Sequence, residues 1–186
     1  DGLKKLEYRG YDSAGVAVMD AQGAVHVVKT KGRLRALEER LEKCPVHGRC
    51  GIGHTRWATH GAPSDVNAHP HGTERLYVVH NGIIENDREL RAELSARGYN
   101  FLSETDTEAA ACTIDSAYAE TGDPVAALCA AAKRLRGSYA LGVIFLDHPN
   151  EIYAVREGNP LIVAEGEDGC MIASDIPAVL RFARDC

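Results

Sequence analysis

Between Gly53 and Asn86 the chain gathers side chains able to do chemistry. They fall in the stretches His54-Thr55-Arg56-Trp57-Ala58-Thr59-His60-Gly61, Asn67-Ala68-His69-Pro70-His71 and Val79-His80-Asn81-Gly82-Ile83-Ile84-Glu85-Asn86. A further stretch, Ser103-Glu104-Thr105-Asp106-Thr107-Glu108, follows soon after. Together they offer a fixed cation, an amide beside a glycine and a carboxylate. A guanidinium such as that of Arg56 can clamp a carboxylate through two parallel hydrogen bonds. Asp106 can take an ammonium. The side-chain amide of Asn81 and the N–H of Gly82 can together form an oxyanion hole. This set fits an α-amino acid with an amide side chain. Each residue also has a plain structural reading. Arg56 alone reads as a surface cation, and Asp106 as a helix-dipole partner worth about 0.3–1 kcal/mol. Asn81-Gly82 alone reads as a type I′ turn after a buried strand.

The set lacks a nucleophile with its base. Ser13 and Thr59 have no evident activating partner, and Cys50 reads as a β-core residue. His54, His60, His69, His71 and His80 invite a metal reading. There is no H-E-x-x-H, however, and few acidic residues lie near, so hydrogen bonding that shapes the loop is the better reading. Cys44, His47 and Cys50 lie close together but lack a fourth ligand at a sensible spacing. No metal and no cofactor is expected. Trp57, the single tryptophan, sits in a Gly/His/Thr-rich loop and reads as a lid or gate as readily as a core anchor.

The elements that must position these residues follow from the pattern. A helix ends near Gly10. Ala14–Met19 and Ala24–Lys29 flank the turn Asp20–Gly23 as a β-hairpin. Leu34, Leu37 and Leu41 give a helix over 33–43. Short strands over 51–54 and 76–80 enter and leave the polar loop. A helix over 85–98 stops at Gly98. Thr105 is a good N-cap, with Glu108 completing a capping box, for a helix running toward Glu120. Asp123 caps another, with Pro124 at its first position, that ends near Gly137. Strands over 138–146, 151–155, 161–164 and 170–173 read as an antiparallel meander, and Ser174-Asp175 opens a last helix. Helices and strands are segregated, which indicates layered α+β architecture rather than a doubly wound sheet.

With 186 residues, 45% of them hydrophobic, the chain suits one domain with a real core. A net charge of −6 without Lys/Arg blocks argues against nucleic acid as the main partner. The longest apolar stretches, such as 139–146, are too short to span a bilayer, and no signal-peptide pattern is read. Six scattered cysteines without C-x-x-C suggest free thiols in a reducing cytoplasm, Cys112 and Cys129 among them as small core residues. The chain opens at Asp1 inside a helical pattern and closes at Arg184-Asp185-Cys186 just after another helix begins. It reads as part of a longer protein.

Glu7-Tyr8-Arg9-Gly10-Tyr11-Asp12-Ser13-Ala14-Gly15 and the stretches 55–61, 67–71, 80–86 and 103–108 together resemble the glutaminase domain of the glutamine–fructose-6-phosphate aminotransferase (glucosamine-6-phosphate synthase) family. The motifs run in the family's order and cover most of the chain. The resemblance implies an α+β fold, the four-layer αββα sandwich of the N-terminal-nucleophile hydrolases, with residues 1–186 forming one glutaminase domain incomplete at both ends. It implies that an N-terminal cysteine, upstream of Asp1, attacks the amide of L-glutamine with its own α-amino group as base. A γ-glutamyl thioester forms, and ammonia travels to sugar-isomerase domains that would lie beyond Cys186. Arg56 would bind the substrate carboxylate, with Thr59 and His60 in the same wall. Asp106 would bind the ammonium, and Asn81 and Gly82 would form the oxyanion hole. Arg9 would brace the N-terminal strand, Trp57 would stand where ammonia leaves, and His69 would belong to the covering loop. Without its first strand the inner sheet would expose an edge. A cytoplasmic homodimer is implied for the full-length protein, with no nucleic-acid or membrane partner. Two other readings stay open: the glutaminase domain of an amidophosphoribosyltransferase, and a non-catalytic glutamine-binding module. Trp57 with Thr59-His60, and Tyr8–Tyr11, favour the sugar-phosphate family over the former.

Overall fold

The Val-rich hairpin forms as its alternation requires: β1 (Ser13–Met19) pairs antiparallel with β2 (Val25–Lys31), from Ser13↔Lys31 to Met19↔Val25. On its other side β1 pairs with β3 (Cys50–Arg56), so the order is β2-β1-β3. A second antiparallel sheet has the order β4-β5-β6-β7, with β4 (His71–Gly72), β5 (Leu76–Ile84), β6 (Gly137–Phe145) and β7 (Tyr153–Glu157). β8 (Ile162–Gly166) and β9 (Gly169–Ala173) form a separate two-stranded pair. The computed structural model describes residues 2–167 and 169–182. The chain ends, Asp1 and Arg184–Cys186, lie outside the described residues.

Period-two alternation turns each strand into a wall with two distinct faces. On β1, Ala14 and Val16 face α2 (Leu34–Lys43), where Leu34, Leu37 and Leu41 meet them along with Leu3 of α1 (Gly2–Leu6). Ala17 and Met19 face inward and join Cys50, Ile52, Tyr77, Val79 and Ile144 between the two sheets. On β5, Leu76, Val78 and Ile84 point the other way, toward α3 (Asp87–Ala96), α4 (Asp106–Thr121) and α5 (Pro124–Ala132). Three apolar layers therefore separate helix, sheet, sheet and helices, the αββα sandwich expected from the sequence.

α4 is buried on nearly every side, and its Ala109-Ala110-Ala111 run lets sheet and helices approach closely. The Thr105 side chain accepts the Glu108 N–H, and Gly122 (φ +64) ends the helix in the left-handed region. α5 begins as read, with the Asp123 side chain accepting the Ala126 N–H at 2.7 Å.

The structure corrects several local readings. Glu108 does not reach back to the N–H of its own cap. Its carboxylate accepts the N–H groups of Leu102 and Ser103 at 2.8 and 2.7 Å, one turn further back. Asn81-Gly82 is no turn but the interior of β5, paired with Ala140 and Tyr139. The meander divides, because β8 and β9 pair only with each other. The last helix is a single 3₁₀ turn, Ile176–Ala178, capped by Asp175. Cys129 is exposed, because Ala127, Leu128 and Ala131 define the buried face of α5 and Cys129 falls opposite.

Leu141→Ala, at a fully buried position in the helix-side core, is expected to cost about 2–5 kcal/mol. Leu102→Ala, at a position 84% exposed, should stay within about 0.5 kcal/mol of the parent chain. Urea unfolding of both variants measures the contrast.

Candidate functional site

The inward face of β3 carries Cys50, Ile52, His54 and Arg56 in alternation, apolar at one end and polar at the other. The inward face of β5 carries Tyr77 and Val79 and then Asn81. The two polar ends meet: His54 Nε2 and Asn81 Oδ1 are 2.9 Å apart, a hydrogen bond that joins the sheets. Gly15 of β1 packs against the same region. A Cβ there would lie 2.3 Å from the carbonyl oxygen of His69, so only glycine lets that loop approach.

A cavity of about 870 Å³ opens at this end of the sandwich, in the size range of small-molecule sites. Arg9, Arg56, Trp57, Thr59, His69, His80, Asn81, Gly82 and Asp106 all line it. Of the residues expected at the site, only His60 does not. Its carbonyl oxygen accepts a hydrogen bond from Arg56 Nη2, so its backbone serves the site while its ring lies beside the Thr59 hydroxyl.

Arg56 is 3% exposed. Its Nη2 also donates to the Gly61 carbonyl at 3.0 Å, so the loop wraps one edge of the guanidinium. Nη1 is buried without a hydrogen-bond partner and stands 3.9 Å from Asp12 Oδ1. Burial lowers the Arg56 pKa, while Asp12 and Asp106 act against that shift. Asp12, which the sequence reading passed over, accepts the Ala58 N–H and the Ser13 hydroxyl, the latter at 2.8 Å. It ties the Arg56 loop to the N-terminal segment.

Asp106 opens α4, and its Oδ2 accepts the Ile84 N–H from the end of β5 at 2.8 Å. His80, next to Asn81 but on the helix side of β5, places Nδ1 3.0 Å from the Thr107 hydroxyl and 3.8 Å from Asp106 Oδ2. Thr107 also meets His69 Nε2 at 3.0 Å, and Thr105 meets His71 Nε2 at 2.9 Å. His69 stacks on His54 with ring centroids 4.4 Å apart. These imidazoles shape the loop and its contacts by hydrogen bonding. Among the described residues, no group of three or more His, Cys, Asp or Glu is arranged to hold a metal ion.

Burial lowers the pKa of His54 to about 4, with the charges of His80 and Arg56 adding to it and the Asn81 hydrogen bond opposing it. His69 and His71 fall well below the usual histidine range, again chiefly by burial, with the Arg56 cation contributing. His80 is lowered by burial, against the pull of Asp106. The cluster is neutral near pH 7.

Trp57 is 59% exposed and meets Tyr11 edge-on at 5.4 Å, at the cavity mouth rather than in the core. Arg9 does not brace a strand. Its Nη1 donates to the Ser174 carbonyl and lies 3.5 Å from Asp175, holding the segment after β9. Asn159 is a second contributor the sequence reading missed: its Nδ2 donates to the Asn81 carbonyl at 2.9 Å. In the sequence it stands in Gly-Asn-Pro, which signals only a turn.

An αββα sandwich with a carboxylate clamp, an ammonium partner and an amide pair in one cavity defines an amide-handling hydrolase or transferase domain. Residues 54–181 match the family model described as a glutamine amidotransferase domain, and the chain belongs to that family. It is 53% identical over 187 residues to glutamine–fructose-6-phosphate aminotransferase (isomerizing) of Clostridium acetobutylicum, covering 100% of this chain and 30% of that protein. The Escherichia coli protein of the same name is 48% identical over 184 residues, with 99% and 30% covered. The chain thus spans about 30% of the length of these curated relatives. Among solved structures, glutamine phosphoribosylpyrophosphate amidotransferase from B. subtilis, complexed with ADP and GMP, superposes with a TM-score of 0.80 at 26% identity, covering 96% of this chain and 39% of that one. The fold is that of the N-terminal-nucleophile amidotransferases, and the chain is a glutamine amidotransferase domain homologous to the aminotransferases above.

The neutral histidines predict acid sensitivity. His54 titrates at about 4 when folded, against roughly 6.5 unfolded. The unfolded chain therefore takes up the proton first as pH falls, and stability is lost from about pH 6.5 downward. The melting temperature should fall as pH is lowered across that window. His69→Gln should make the fall shallower, as thermal melts at a series of pH values would record.

Proposed function

We propose that this chain is the glutamine-hydrolysing domain of a longer polypeptide that makes glucosamine 6-phosphate from fructose 6-phosphate and glutamine. The observation that carries the reading is the buried Arg56 guanidinium, whose unpartnered Nη1 belongs to the cavity that also holds Asp106 and the Asn81–Gly82 pair. The glutamine α-carboxylate pairs with Arg56, and its ammonium with Asp106. Its side-chain carbonyl lies against Asn81 and Gly82. Thr59 and His69 contribute to the wall, and Trp57 stands at the mouth where ammonia leaves.

Cys50 is a poor nucleophile: its Sγ donates to the Glu151 carbonyl at 3.5 Å, and burial raises its pKa. We assign the nucleophile to an N-terminal cysteine that precedes Asp1 in the complete polypeptide. The outer edge of β3 supports this. Among the described residues it pairs with no strand, and 48–56 line the cavity without a break. A strand laid along that edge would bring its side chains beside Asn81 and Asp106. The thiol attacks the amide carbon while the cysteine's α-amino group takes its proton. The resulting oxyanion is held by Asn81 Nδ2 and the Gly82 N–H. Collapse expels ammonia and leaves a γ-glutamyl thioester, which water hydrolyses to glutamate. Sugar-isomerase domains beyond Cys186 would receive the ammonia, in a cytoplasmic homodimer. None of the described helices is long and apolar enough to cross a membrane.

Glutamate release from glutamine by the full-length protein tests the reading. Its absence would favour a glutamine-binding module, and release coupled to phosphoribosyl pyrophosphate rather than fructose 6-phosphate would favour the amidophosphoribosyltransferase. Asp106→Asn should weaken glutamine use by roughly 10- to 10²-fold, the worth of a charge-assisted hydrogen bond. Near-normal glutamine kinetics would sink the assignment of the ammonium. Asn81→Ala should lower kcat by about 10²–10³ with a smaller effect on KM. Equal losses in both would make Asn81 a binding residue.

A further inference from the structure

An amide pair stabilises an oxyanion only if both N–H groups converge on it, and in this site each amide is gripped from behind. The argument rests on the reading of Asn81 and Gly82 as that pair.

The side-chain amide is held by His54, whose Nε2 lies 2.9 Å from Asn81 Oδ1. The other ring nitrogen, Nδ1, is buried without a partner. A neutral imidazole has one N–H. Placed on Nδ1 it would be an orphaned buried donor, a rarer and costlier arrangement than an unpaired acceptor. The proton therefore sits on Nε2 and is donated to Asn81 Oδ1. That leaves Nδ2, the donor end of Asn81, as the end not held by His54.

The main-chain amide is held by Asn159. Its Nδ2 donates to the Asn81 carbonyl oxygen at 2.9 Å, and that carbonyl belongs to the same peptide unit as the Gly82 N–H. The only cis peptide among the described residues is His69-Pro70, so the 81–82 unit is trans. In a planar trans unit C=O and N–H point in opposite directions. Anchoring the carbonyl on the Asn159 side aims the Gly82 N–H away from it. The fit leaves no room for a side chain: Gly82 has φ +123, and a Cβ there would lie 2.0 Å from the Ser138 carbonyl and 2.3 Å from Asn159 Nδ2.

Asn159 is itself well braced. It follows Gly158, which bridges to Tyr139 of β6, the residue paired with Gly82. Its N–H donates to the Glu157 carbonyl at 2.9 Å, and its carbonyl accepts from Arg156 Nη1 at 3.2 Å.

We infer that His54 and Asn159 are the positioning residues of the oxyanion hole, His54 orienting the side-chain amide of Asn81 and Asn159 orienting the N–H of Gly82. Neither touches the reacting atoms. Glutamine hydrolysis by the full-length protein tests this. Asn159→Asp, isosteric but without the donor, and His54→Leu should each lower kcat by about 10- to 10²-fold, the scale of a misplaced catalytic group, with KM for glutamine little changed. His54→Gln, whose Nε2 can stand in for that of the imidazole, should recover most of the rate. Asn81→Ala serves as the reference. If it leaves kcat intact, the reading of the amide pair fails. If it lowers kcat while Asn159→Asp and His54→Leu run at the parent rate, the pair stands and the positioning role is overturned. A rise in KM matching the fall in kcat, or His54→Gln no better than His54→Leu, also overturns it. Asn159→Ala is the control should the aspartate variant misfold.

Discussion

A guanidinium removed from water at Arg56 organises the polar end of this molecule. A buried cation is tolerated only where neighbours replace its hydration. Here the loop after β3 folds back so that the carbonyls of His60 and Gly61 take Nη2. Nη1 receives no hydrogen bond. The loop's path, its link to Asp12 through the Ala58 N–H, and its need for a compact turn at Gly61 (φ +77) all follow from serving that charge. The same field acts on the imidazoles. Arg56 is among the causes that lower His54, His69 and His71, after burial itself. A cluster of charged histidines beside a buried cation would be self-repelling. Neutral ones supply directed hydrogen bonds to Asn81, Thr105 and Thr107 without adding charge.

Strand periodicity explains how neighbouring residues reach different tasks. His80 and Asn81 are consecutive, so β5 sends them to opposite faces. His80 turns to Thr107 in the helix layer, and Asn81 turns to His54 across the sheet gap. The site therefore straddles β5 rather than lying on one side of it. Asp106 completes the connection, since the start of α4 meets the end of β5 through the Ile84 N–H. A carboxylate in the first turn of a helix is also favoured by the dipole, so fold and site draw on the same residue for compatible reasons.

Much of this was legible in the sequence because the signals were local. The caps at Thr105 and Asp123, the Leu34-Leu37-Leu41 stripe and the Val-rich hairpin each state their structure within a few residues. The readings that changed depended on distant partners. Asn81-Gly82 has the composition of a turn, yet nine paired residues of β6 keep β5 straight through it. The carboxylate of Glu108 goes to Leu102 and Ser103 because that loop also needs acceptors. Asn159 reaches Asn81 across 78 positions of chain, and no local pattern marks it. The role of His60 was hidden for another reason: it acts through its carbonyl, which every residue has.

The geometry around Asp12 bears on why the cation is available at all. A carboxylate so close to a buried guanidinium could form a bidentate pair, and such a pair would occupy the edge that a substrate needs. Asp12 does not. Its oxygens are committed to the Ala58 N–H and the Ser13 hydroxyl, and its nearest approach to Nη1 is 3.9 Å. At that distance it still offsets part of the charge, which helps the fold hold Arg56 in the interior, but it makes no hydrogen bond to the guanidinium. Asp106 is likewise engaged through one oxygen by a backbone N–H, which holds the carboxylate at the cavity wall. A cation and an anion held within one cavity, each only partly satisfied by the protein, complement a zwitterion better than they complement a simple acid or amine. Selectivity for an α-amino acid follows from restraint in the internal pairing as much as from the presence of the two charges.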